Sequence, residues 1–132
     1  MKTTETIDTF LANILTGKAD EAFAMVHEDA VFIGSNPRGN PNNPLHGTFK
    51  GVEGAKTFFA NFVAVIEPGQ FSIEGKFGEG DHATMYGTLA HTVRATGKPF
   101  VSDWAVVGRV KEGKVSLYHF YEDSEALAEA LV

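Results

Sequence analysis

Glu122, Tyr118 and Ser102 are polar side chains that alternation along two strands brings to one face. All three lie in Lys98–Asp123, which reads KPFVSDWAVVGRVKEGKVSLYHFYED. A carboxylate, a phenol and a hydroxyl on one face of paired strands could orient a bound ligand, and the first two could take part in proton transfer. Glu122 reads more simply as a solvated carboxylate at a strand end, and Tyr118 as core or pocket wall. Other chemistries lack their residues. His27, His46, His82, His91 and His119 are scattered, with no His-x-His and no HExxH, so no metal site is expected. There is no cysteine, hence no thiolate chemistry and no disulfide. No Gly-rich phosphate motif and no Gly-x-Ser-x-Gly elbow occurs, and no cofactor is expected.

The elements that position these groups follow from the pattern. Lys98–Asp123 is two apolar runs around one turn, a β-hairpin. Loop length decides which side chain faces where. A two-residue loop, Glu112-Gly113, needs φ > 0 at Glu112. A three-residue loop, Lys111-Glu112-Gly113, needs it only at Gly113, and is the one expected. Val110 then faces Lys114 and Trp104 faces Phe120. One face holds Phe100, Ser102, Trp104, Val106, Tyr118, Phe120 and Glu122. The other holds Val101, Asp103, Ala105, Val107, Leu117, His119 and Tyr121. Both are largely apolar, so the first should meet a core or pocket and the second another sheet or subunit.

Upstream, Ile7, Phe10, Leu11, Ile14 and Leu15 follow helical spacing, with Thr3 or Thr4 as cap and Gly17 as stop. Ala19–Val26 reads as a second short helix and Asp29–Gly34 as a strand. Ser35–Lys50 reads as a long polar loop, either a lid or binding loop or a tolerated surface insertion. His46 in it could point into a pocket mouth or cap the loop. Val52–Ile66 is a third amphipathic helix, ended by Pro68-Gly69. Phe71–Phe77 and His82–Ala95 are strands, and Ser124–Leu131 a last helix. Helices first and four consecutive strands after give an α+β chain with a mostly antiparallel sheet.

The chain has 132 residues, enough for one domain with a real core, taken as residues 1–132. Apolar content is 43% and charged content 21%, a globular balance. A net charge of −6 speaks against nucleic acid and anionic membranes as partners. The polar start MKTTETIDTF is unlike a secretory signal, and no apolar run nears the roughly 20 residues of a membrane helix. A cytoplasmic location is expected.

ATGKPF, Trp104, EGKV, the closing FYED, and LHGTFKGVEGAKTFF leading into the third helix resemble the SnoaL-like, ketosteroid-isomerase-related group of the nuclear transport factor 2-like superfamily. The resemblance covers essentially the whole chain. It implies a cone-shaped curved sheet packed on three helices, an internal pocket, and dimerisation through the outer sheet face. Aligned to that group, Leu89 and His91 face inward, opposite Trp104 and Ser102. His91 with Glu122 and Tyr118 could then form an acid/base site. Ketosteroid isomerisation needs a carboxylate base and an oxyanion hole of tyrosine and protonated aspartic acid. The corresponding positions fall on Gly34, Phe10 and Val106, with Phe59 for a supporting tyrosine, and none of these can act so.

The expectation is a pocket protein for a small, largely apolar molecule. It would be a cofactor-independent isomerase, cyclase or dehydratase, not a ketosteroid isomerase, with His91 and Glu122 catalytic. The wall would comprise Phe10, Phe32, Phe58, Leu89, Ser102, Trp104, Tyr118 and Phe120. The alternative is a non-catalytic dimeric ligand-binding or interaction module.

Overall fold

The structure is a computed structural model that describes residues 1–132. The helices α1 (Thr3–Leu15) and α2 (Ala19–Ala24) open the chain, and α3 (Gly51–Val65) follows the first two strands. The strands are β1 (Val26–Gly34), β2 (Gly47–Lys50), β3 (Ile66–Glu79), β4 (His82–Val93), β5 (Pro99–Lys111) and β6 (Lys114–Glu122), and α4 (Ser124–Ala130) follows. They form one curved, unclosed sheet in the order β2-β1-β6-β5-β4-β3. All neighbours are antiparallel except β1 and β6. The architecture is the expected α+β one. No helix is long and apolar enough to cross a membrane.

Amphipathic spacing places the helices on the sheet's inner face. Ile7, Phe10 and Leu11 of α1 are buried, and α3 buries Ala55 while Phe58, Phe59 and Phe62 pack against the core. Three boundaries differ from the sequence reading. Val26 opens β1 rather than closing α2. Gly47–Lys50, read as loop, is β2, paired antiparallel with Val31–Gly34. The third helix stops at Val65, before Pro68, and Pro68-Gly69 lies within β3. Proline is tolerated there because β3 is an edge strand and its register shifts between Glu67 and Gln70.

The hairpin turn also differs. Lys111 pairs with Lys114, so the loop is Glu112-Gly113, with φ of 53° and 76°. Two positive φ values give the mirror-image turn whose twist matches the strands. That changes the pairing by one residue. The register then shifts again, from Val110↔Val115 to Arg109↔Leu117, leaving Ser116 as the extra residue of a bulge. The two single-residue displacements restore the original parity. Trp104 therefore pairs with Glu122 and Val106 with Phe120, not Trp104 with Phe120. The inner face keeps its expected members.

Candidate functional site

Aromatic rings fill the region where α1 and α3 meet β1 and β6. Phe32 stacks on Tyr118 at 5.3 Å, and Phe10, Phe58 and Phe59 surround them at 5.6–6.0 Å. Phe10, Phe32 and Tyr118 are fully packed. These expected wall residues are core here. Burial raises the Tyr118 hydroxyl well above the usual phenol range, so it stays protonated. A second row of rings runs across the inner face. His91, Phe71, Trp104 and Phe120 stack in turn, at 6.3, 4.5 and 5.8 Å, with neighbouring planes within 15° of parallel.

Polar groups expected to orient a ligand are already engaged. The Trp104 indole N–H donates to the carbonyls of Ser72 and Thr88, at 3.2 and 3.1 Å. The Ser102 hydroxyl donates to the Asp103 carbonyl and accepts the Asp123 N–H at 2.9 Å. It thus ties β5 to the start of α4, which Asp123 caps by accepting the Ala126 N–H at 3.0 Å.

His91 and Leu89 do face inward. They pair with Phe100 and Ser102, two residues from the expected register, which leaves the face unchanged. His91 Nδ1 accepts the Gly69 N–H at 2.9 Å, and its ring lies edge-on to Phe62. The expected group of His91, Glu122 and Tyr118 is not formed. On β5, the partners of His91 and Glu122 are Phe100 and Trp104. That is about 13 Å along the strand at roughly 3.3 Å per residue, with β4 and β6 on opposite sides of β5.

Burial lowers the His91 pKa below its ordinary 6.5, only partly opposed by a backbone bond with Ala90. The unfolded chain therefore takes up this proton first as pH falls. The stability contributed by neutral His91 is fully present above about pH 6.5 and is lost as pH falls from there through the lower folded pKa. His91→Asn keeps an acceptor for Gly69 N–H but removes the titration. Its urea-unfolding free energy should fall less between pH 7 and pH 5 than that of the unmodified protein. Parallel pH curves would rule this account out.

Glu122 meets a different histidine. His46 Nε2 lies 2.7 Å from Glu122 Oε1, and the two side chains are only 7% and 5% exposed. The other carboxylate oxygen, Oε2, is buried with no hydrogen-bond partner. By register Glu122 stands beside Trp104 and one pleat from Phe120 on the inner face. Buried carboxylate oxygens are almost always satisfied, so an orphan one needs an explanation. His46 arrives on the segment between β1 and β2. That approach depends on Gly34, where a Cβ would stand 1.9 Å from the Leu45 carbonyl oxygen. Ser35, with φ of 37°, clasps the end of β6. Its N–H donates to Phe120 O at 2.8 Å and its hydroxyl accepts the Glu122 N–H at 3.2 Å. Its carbonyl faces His119 Nε2 at 3.1 Å. His46 was one of two open readings in the sequence; nothing there signalled Ser35.

An open hollow of about 510 Å³ lies elsewhere, at the free end of the β5–β6 hairpin. Its charged groups are paired, Arg109 with Asp81 at 3.3 Å and Lys111 with Asp29 at 3.9 Å, and it does not include Glu122.

Residues 7–118 match the SnoaL-like domain family. Patulin synthesis protein F of Aspergillus clavatus is 27% identical over 128 residues, 89% of this chain; the chain spans 64% of that relative's length. A nuclear transport factor 2-like protein from Burkholderia xenovorans LB400 superposes with a TM-score of 0.86 at 22% identity, covering 98% of this chain and 95% of that one. A candidate SnoaL-like polyketide cyclase from Mesorhizobium loti superposes with a TM-score of 0.72 at 21% identity, covering 92% and 99%.

Proposed function

The chain belongs to the SnoaL-like domain family, and from that premise we propose that it performs acid–base chemistry on a small, largely apolar organic molecule, with Glu122 as the proton-transferring group and His46 holding it. The observation that carries this is the unpartnered Glu122 Oε2, buried beside Trp104 and Phe120. His46 donates to Oε1 and fixes the carboxylate, leaving Oε2 free to take a proton from a substrate carbon next to a carbonyl. Return of that proton at another atom is isomerisation. Loss of hydroxide with the proton is dehydration, and attack of the carbanion on an internal carbonyl is cyclisation. The Mesorhizobium loti protein, a candidate SnoaL-like polyketide cyclase, belongs to the cyclising class of this chemistry.

Native mass spectrometry of the purified protein identifies any small molecule it carries. Enolisable hydroxy-ketones and 1,3-dicarbonyls in D₂O, followed by NMR, then test the chemistry. Protein-dependent deuterium uptake next to the carbonyl supports the reading. Binding without exchange supports the alternative, a dimeric ligand-binding or interaction module. The filled interior, with Trp104 held between Phe71 and Phe120, is the observation that favours that alternative.

Both readings include a homodimer through the outer sheet face. Tyr86, Val101 and Tyr121 are exposed there, with Ala105, Val107 and Leu117 half-buried between them. An apolar surface of this kind marks an interaction site. Leu117→Asp would place a charge among these side chains and should yield a monomer in sedimentation velocity. An unmodified protein that already sediments as a monomer at high concentration would remove the claim.

A further inference from the structure

We propose that residues 36–46 are a lid over the Glu122–His46 pair, hinged at Ser35 and Gly47, which opens to admit a ligand. The inference deepens the acid–base reading of Glu122 and rests on it for its purpose. Its geometry stands separately.

The site is closed as it stands. With both side chains almost wholly buried and Oε2 sealed, no substrate reaches the carboxylate while His46 stays in place. The segment that closes it is a self-contained body. Its backbone bonds, Gly39 N–H to Asn36 O, Asn43 N–H to Asn40 O and His46 N–H to Asn43 O, are all internal. The side-chain oxygens of Asn36, Asn40 and Asn43 accept the N–H groups of Arg38, Asn42 and Leu45, also internally. Such bonds survive a movement of the whole segment.

The ties to the rest of the molecule are few. Asn61 Nδ2 on α3 donates to Pro44 O at 3.2 Å, His46 meets Glu122, and the Thr48 hydroxyl at the base donates to Pro37 O at 2.7 Å. Leu45 packs against the core and Asn43 is buried. Both ends of the segment lie at positive φ. Ser35 is a non-glycine residue with φ of 37°, and Gly47 has φ of 126°. The Ser35 conformation persists because its bonds to β6 hold it, and Gly47 adopts positive φ freely, so the chain can pivot between a fixed end and a permissive one. The closed position further depends on Gly34, whose missing Cβ leaves room for the Leu45 carbonyl.

Two histidines provide the test, because they are similarly buried but differently held. His46 is on the lid, and His91, 5% exposed, is on β4 in the interior. The protein is treated with diethyl pyrocarbonate, and carbethoxylation at each histidine is followed by mass spectrometry. Each rate is divided by that of the same residue in the urea-unfolded chain. His46 should react at least about tenfold faster than His91, the ratio given by an opening easier by about 1.4 kcal/mol. Asn61→Ala, which cuts one tie, and Gly34→Ala, which crowds Leu45, should each speed His46 and leave His91 unchanged. If His46 reacts no faster than His91, or if both accelerate together in Asn61→Ala, the segment is no lid. Should Gly34→Ala not fold, Asn61→Ala decides. Since labelling involves no turnover, a fast His46 without deuterium exchange on any substrate would remove the acid–base reading and leave the lid.

Discussion

Trp104→Ala should lower the unfolding free energy by about 3–5 kcal/mol, the range for large aromatic-to-alanine changes in cores. Trp104 is 3% exposed, stacked between Phe71 and Phe120, and bonded through its indole to two carbonyls on β3 and β4. Truncation opens a cavity, removes both stacking contacts, and leaves the Ser72 and Thr88 carbonyls without that donor. A domain of this size has about 5–15 kcal/mol in total, so the variant should be marginal but folded. Urea unfolding should show a lower midpoint at nearly unchanged slope, which marks lost stability rather than a changed denatured state. A loss under about 1 kcal/mol would mean that the rings around Trp104 collapse into the space, and the interior would then be far more plastic than its packing indicates.

Glu122→Gln should reduce deuterium exchange on a responsive substrate by about 10²–10⁴-fold, the usual contribution of a positioned acid or base. Glutamine keeps the shape and can still accept from His46 through its amide oxygen, but it cannot take a proton. The melting temperature should be unchanged or higher, because the substitution removes a buried acidic group held for function rather than for packing. A structural carboxylate gives the opposite pattern, loss of stability with no effect on exchange. His46→Ala, measured alongside, should weaken exchange less, since His46 orients the carboxylate and does not itself receive the proton.

The fold was legible where burial imposes a period. α1 and α3 show the helical spacing of residues such as Ile7, Phe10 and Leu11, or Ala55, Phe58 and Phe62. The hairpin alternates so regularly that its inner face was readable despite the wrong turn. β2 was not readable because GTFK is four residues long, carries one aromatic, and follows a segment of prolines and asparagines. Pro68 misled for a positional reason: only the sheet order reveals that β3 is an edge. At the site, Glu122 came from alternation alone. The resemblance placed His91 correctly on the inner face, but not at the level of Glu122, because a two-residue register shift keeps a face and moves a side chain along it. The His46 contact spans 76 positions and runs through irregular backbone, where neither period nor motif constrains a side chain.

The Ser116 bulge has a consequence for how this chain can change length. Ser116 is the unpaired residue of β6: Val115 already pairs with Val110, and Leu117 with Arg109. Deleting it would close the ladder into one continuous register, with Tyr118, Phe120 and Glu122 still opposite Gly108, Val106 and Trp104 on the inner face. Deleting a paired residue such as His119 would instead turn part of the strand over, exchanging inner and outer side chains with almost no change in composition. The hairpin can therefore lose a residue at the bulge, and only there along β6, without exchanging its two faces.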